Sequence, residues 1–251
     1  MRQMIKIEFQ KLFGNVRFYY SIIGIMSGLL INTMEQLRFD HYSAMDNIFA
    51  ITSTSAVFLI CFALCIVGGG FSFCIEQRNH CVRYAVLRCG VQAYSAAKVI
   101  VSFIGGYLTS FLGCLFGECG IGMILFFRYR DMSRVFLGWV GIWNNFCYIA
   151  VFSLLCGVLS VLALLVTVVM PDFFVAMSMP ILIYYMWLNI TGWIHMPPFL
   201  SVIIIYFVNY DTYNPKEFCK DFGYAVLFSL CVIYMLWIMI QKGMKWRVEN
   251  G

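Results

Sequence analysis

The chain has 251 residues, of which 62% are hydrophobic and only 12% charged, with a mean hydropathy of +0.85. Soluble domains carry charge on about a quarter of their residues, so this composition excludes an ordinary soluble fold and a disordered chain alike. The formal charge of +5 is spread along the whole length without a compact basic patch, which argues against nucleic acid as a partner.

At about 20 residues per apolar span, a chain of this length has room for about six spans and short loops. The expected fold is an all-α integral membrane protein, a single transmembrane domain over residues 1–251. It begins with an amphipathic helix over 1–15. There Ile5, Phe9, Leu12 and Phe13 fall on one helical face, with Arg2, Lys6, Gln10 and Lys11 mostly elsewhere. Such a helix lies in the membrane surface, with its basic residues toward anionic lipid headgroups.

The first span covers about 18–33 and has no small-residue cleavage pattern after it, so it reads as a retained anchor. An acidic loop with Glu35, Asp40 and Asp46 leads to the second span, 48–71. A basic loop with Arg78, Arg83, Arg88 and Lys98 follows, and then a glycine-rich apolar stretch whose span is placed at 99–122. Gly24 with Gly28, and Gly113 with Gly117, form GxxxG pairs, read as internal packing surfaces rather than a dimer seam.

The apolar run from Val135 to Met170 is too long for one upright helix. It is divided into an interfacial stretch carrying Trp139 and Trp143 and a fourth span over 145–169. A break at Pro171 precedes the fifth span, 173–189, kinked at Pro180. The apolar run 199–208 would reach only about 15 Å as a helix and is expected to be re-entrant or to lie on the outer surface. The sixth span is 222–240, and a basic tail ends the chain.

Six spans put both termini on one side. That side holds eleven of the seventeen Lys and Arg residues and four of the twelve acids, so the positive-inside rule places both ends in the cytoplasm of a multi-pass protein in a cell membrane. The three arginines of RYRDMSR, at 128–134, then fall outside.

Motifs for chemistry are scarce. There is no phosphate-binding GxxxxGK[ST] loop and no HExxH, and His41, His80 and His195 fall in three separate loops. The eleven cysteines have no CxxC spacing and read as small buried hydrophobes, with no metal site among them. No enzyme activity and no cofactor of the chain's own is expected. The loop between spans two and three is the informative segment: Val82, Val86 and Cys89 share one side of a short helix, and Glu76, Arg78, Arg83 and Arg88 lie elsewhere. Charges of this kind on a surface helix would specify a soluble partner, and composition alone does not separate this from a solvated loop made basic only by topology.

An amphipathic EFQKLFGNVRFYY helix, a first span, and a second span running into FSFCIEQRNHCVRYAVLRCGVQAYSAAKVIV resemble the permease subunits of the type 2 family of ABC exporters. The family pattern is an acid after span two, a turn, a short leucine-rich helix, a small polar stretch and a lysine opening span three. It is matched by Glu76, residues 83–87, Ser95 and Lys98, with Cys81 and Val82 standing where the family has a glycine-threonine pair. The resemblance implies an exporter of a peptide, lipid or drug-like substrate. It also implies a separate ATPase subunit that binds ATP and Mg and docks on a coupling helix over about 75–93, and a second permease chain, identical or homologous. Glu76, Arg78, Arg83, Val86, Leu87 and Lys98 would be the coupling residues. Chains of this length also resemble permeases of bacterial antimicrobial-peptide immunity and export. The alternative is a membrane interaction or assembly subunit without a pathway.

Helical rise places Asn32, Glu118 and Asn189 high in their spans, and Asn144 and Asn145 at the outer opening of the fourth. Polar groups at that depth avoid lipid and face a bundle interior or wet cavity, so these five are the candidate substrate pathway, the alternative being that each marks the interface where its helix emerges.

Overall fold

A computed structural model describes residues 2–36, 55–79, 81–129, 138–193 and 215–250. The start of the expected second span, the apolar run 199–208, Asp40, Asp46 and the three histidines lie outside these residues, as do the side chains of Arg83 and Asn144. The described residues form helices and short turns only: α1 (Arg2–Phe13), α2 (Val16–Gln36), α3 (Ser55–Gly69), α4 (Ser72–Arg78), α5 (Cys81–Cys89), α6 (Val91–Tyr129), α7 (Gly138–Val169), α8 (Phe173–Trp193) and α9 (Pro215–Asn250).

Among the described residues, four helical stretches are long and apolar enough to cross a membrane: Val91–Ile124, Asn145–Val169, Phe173–Ile190 and Phe222–Trp246. A fifth candidate is the pair Leu59–Gly69 and Ser72–Arg78, bent by 53° at the break, and Val16–Asn32 is a shorter apolar helix. The chain is thus an all-helical, multi-pass membrane protein over its described residues.

Helices that are apolar on all sides gain little by hiding from lipid, so close packing and local hydrogen bonds must hold them together. The tightest point is the crossing of α3, α6 and α7. A Cβ on Gly69 would lie 2.5 Å from the Gly106 nitrogen and 2.5 Å from Ser160 Oγ, and one on Gly106 would meet Ser160 Cβ at 2.6 Å. Only residues without a Cβ let three backbones approach so closely. Both GxxxG pairs also work inside the fold. Gly113 and Gly117 receive Ile25 and Leu29 of α2, while Gly24 faces Leu64. The order of these contacts makes α2 and α6 run in the same direction.

Helix α7 is the central post, buried along its span by α6, α3, α8 and α9. Phe62 of α3 stacks on its Phe152 at 5.9 Å and meets Tyr184 of α8 edge-on at 4.9 Å. The stretch of α7 apolar enough to cross a membrane is Asn145–Val169, as expected, and the residues before it, with Trp139 and Trp143, continue the same helix from Gly138. Likewise α6 starts well before residue 99, α9 carries the basic tail on as helix, and the loop expected as one helix over 75–93 is two. Helix α5 stops at Gly90, which takes φ +80° and donates its N–H to Val86 O at 2.8 Å, the left-handed stop that glycine adopts without strain.

Asp172 begins α8, its Oδ1 accepting from Phe174 N at 2.9 Å, and Phe173 stacks on Phe71 at the α3–α4 break with centroids 4.2 Å apart. The elbow between α3 and α4 is therefore braced by the turn between α7 and α8.

Candidate functional site

The most organised polar feature lies where α1, α4 and the first turns of α6 meet. Lys98 is fully buried, and so is the Glu8 carboxylate at 1% side-chain exposure. Lys98 Nζ donates to Glu8 Oε2 at 2.5 Å and to Ser72 Oγ at 3.3 Å, and pairs with Glu76 Oε2 at 3.0 Å, so each of its three N–H groups has a polar partner. Lys11 Nζ lies 2.8 Å from both Glu8 Oε1 and Glu76 Oε1. Tyr94 OH donates to Glu76 Oε2 at 2.6 Å, and the Lys98 ammonium sits 5.7 Å from the Tyr94 ring centroid.

Two carboxylates and two ammoniums thus alternate in a closed ring, with every carboxylate oxygen occupied and no net charge. Burying such groups is costly, and the cost is offset only when each charge is paired and each remaining lone pair or proton is bonded. This ring meets the condition. Lys11 is half exposed at its mouth. Partial burial pushes its ammonium down, but the hydrogen bonds and charges of Glu76 and Glu8 outweigh that and hold it above its ordinary value.

The local sequence explains the placement. In α1 the buried positions are Glu8 and Leu12, one turn apart, with Met4, Ile5 and Phe9 partly covered beside them. Leu12 and Phe9 pack with Phe18, Ile22 and Val101. The inward face of α1 is therefore apolar with one acid in its middle, and it rests on protein. Phe13, expected on that face, is 45% exposed and stacks on Phe9.

Beside the ring, α5 turns two different faces. Val86 is buried among Phe73, Tyr94, Leu164 and Met244, with Val82 and Ala85 partly covered. Tyr84 and Leu87 point away, 77% and 79% exposed, with Cys81 and Arg88 also exposed. Arg88 stands in the last turn, where a cation complements the helix dipole. Of the residues expected to couple to a partner, Leu87 and Arg78 are outward, whereas Glu76, Val86 and Lys98 are turned into the fold.

The residues expected to line a pathway are brought together only in part. Leu29 seats on Gly117, Asn32 follows Leu29 by three residues, and Glu118 follows Gly117 directly, so Asn32 and Glu118 lie at one level of the α2–α6 pair. Asn32 Nδ2 and Glu118 Oε1 are both buried without a hydrogen-bond partner. Asn145 is half-buried. Asn189 is exposed and donates back to Tyr185 O at 2.9 Å, so its amide is bonded within its own helix.

Sequence reading missed Glu8, Lys11, Ser72 and Tyr94 as partners in the ring. A signal did exist for Glu8. It is the only acid in an otherwise basic helix, and it stands four residues from both Met4 and Leu12, within the apolar stripe. Comparison with protein-family models, with curated proteins and with solved structures finds no match for this chain.

Proposed function

We propose that this chain is the membrane-spanning permease subunit of an ATP-driven exporter of the type 2 ABC kind. It would sit in a bacterial cell membrane with six spans and both termini in the cytoplasm. A separate ATPase subunit, holding ATP and Mg, docks on α5. A second permease chain completes the pathway, and the substrate is a peptide, lipid or drug-like molecule, as in antimicrobial-peptide export.

The observation that carries this reading is the two-faced α5. Tyr84 and Leu87 stand outward, next to basic residues, on a helix whose other side is locked by Val86 against α6, α7 and α9. A knob that is apolar outside and rigidly seated inside is what a partner needs in order to push on the spans. The neighbouring charge ring supports the same reading, because it joins α1 and α4 to the first turns of α6, so load on the α4–α5 segment reaches a long span directly. Coupled motion of that sort is rigid-body tilting of packed helices.

The test is copurification from membranes with an ATPase found in a neighbouring reading frame, and the absence of any such ATPase would count against the proposal. Leu87→Asp together with Tyr84→Ala should abolish recovery of the ATPase while leaving the chain's own yield and thermal stability unchanged. Retention of the ATPase by this double variant removes the docking proposal. Recovery of a stable complex whose ATPase is indifferent to the permease would favour the assembly-subunit alternative.

A further inference from the structure

Phe103, Tyr107, Phe111 and Glu118 follow one stripe of α6, four, four and seven residues apart, and rise about 22 Å along it. The stripe runs along the seam with α7, since a Cβ on Gly157 would touch the Phe103 ring at 2.7 Å and Phe111 meets Phe146 edge-on at 5.6 Å. Its rings form a ladder. Phe103 and Tyr107 stack at 6.4 Å, Tyr107 and Phe111 at 5.7 Å, and beyond Phe146 the ring of Trp143 stacks at 6.2 Å. Tyr107 and Phe111 are half-buried, while Phe146 and Trp143 remain 44% and 42% exposed. The ladder thus opens at the end where Glu118 stands.

Glu118 differs from the acids of the charge ring. Its Oε1 is sealed from solvent and has no donor, whereas every carboxylate oxygen of Glu8 and Glu76 is paired. A carboxyl left unpaired at membrane depth is costly, and groups kept there despite the cost typically serve an ion or substrate. What fits an unpaired acceptor is a cation, which the carboxylate attracts by charge, while the rings that begin about 10 Å along the same stripe suit an apolar body attached to it. The length of the ladder suits a ligand with an apolar body. A carboxylate would repel an anion at the same place.

We infer that the α6–α7 seam from Tyr107 to Glu118 is a binding site for a cationic amphiphile, with the protonated amine at Glu118 and the apolar body along Tyr107, Phe111 and Phe146. This deepens the exporter reading by naming a substrate class and rests on its pathway, but the binding is a property of the chain alone. It can therefore fail while ATPase docking succeeds, and the reverse.

The experiment uses the full chain in phosphatidylcholine nanodiscs, titrated calorimetrically with dodecylamine, with empty discs subtracted and dodecanoate as the anion of equal length. Saturable binding of dodecylamine and none of dodecanoate is expected. Glu118→Gln, which keeps the shape of the side chain, should weaken the amine at least tenfold, and Phe111→Ala should weaken it several-fold. Gel filtration and thermal unfolding confirm that each variant is folded. Equal affinity in Glu118→Gln, equal binding of the anion, or no binding above empty discs would each overturn the assignment. Should Glu118→Gln fail to fold, Phe111→Ala and the comparison of amine with anion on the unaltered chain still decide it.

Discussion

Lys98 at the base of α6 donates to Glu8 in α1 across ninety residues of chain, and neither side chain reaches solvent. The contact makes α1 a structural part of the bundle. A basic amphipathic helix that only floated on headgroups would keep its acid in water. Here the acid is the residue by which the helix is held, and Glu76 and Lys11 close the ring around it. The bent segment after α3, the first turns of α6 and the N-terminal helix therefore move together.

Removing one member of a buried ion pair leaves its partner uncompensated. Lys98→Met should therefore destabilise the protein by about 3–5 kcal/mol. The double variant Glu8→Leu with Lys98→Met should recover a large part of the loss, since both buried charges are then gone. Thermal unfolding in detergent measures both. Equal stability of Lys98→Met and the unaltered chain would mean that the ring carries no stability.

The two sides of α5 respond differently to charge. Val86→Asp places an unpaired carboxylate among Phe73, Tyr94 and Leu164 and should destabilise strongly, by roughly 3 kcal/mol or more. Leu87→Asp, one residue on and 79% exposed, should stay within about 0.5 kcal/mol of the unaltered chain. Expression level and unfolding midpoint distinguish the two.

Glycines at helix crossings should be intolerant where their environment is full and indifferent where it is empty. Gly69→Ala forces a Cβ against the α6 backbone and Ser160 and should cost about 1–3 kcal/mol. Gly223→Ala, with nothing within 4 Å, should be neutral or stabilising by up to about 1 kcal/mol through helix propensity. Unfolding midpoints of the paired variants check the contrast.

Lys11 gives the ring its pH dependence on the basic side. Its ammonium is held above the ordinary value of 10.5, so it binds its proton more tightly in the folded chain than in the unfolded one. The stability it contributes is complete below that ordinary value and disappears as pH rises through the raised one. The unaltered chain should therefore exceed Lys11→Met in unfolding midpoint by a constant margin at neutral pH, and the margin should close above about pH 10.5. A margin that persists at high pH would show that Lys11 acts by packing alone.

The sequence by itself determined that this is an all-helical membrane protein and roughly where its apolar helices run. Length and hydropathy are local properties, so the 145–169 and 173–189 segments, the Pro180 helix and the amphipathic N-terminus were legible residue by residue. Which way side chains point was not. Helices α7 and α8 are apolar on every side, so no periodicity separates the face of α7 packed on α6 from that of α8 open to lipid. The charges of α4 and the base of α6 raised the same ambiguity. Glu76 and Lys98 look alike in sequence whether they face a partner or each other, and only the 53° bend after Gly69 and the approach of Glu8 from ninety residues away turn them inward. A buried ion pair depends on simultaneous proximity of distant segments, and that proximity exists only in the tertiary structure.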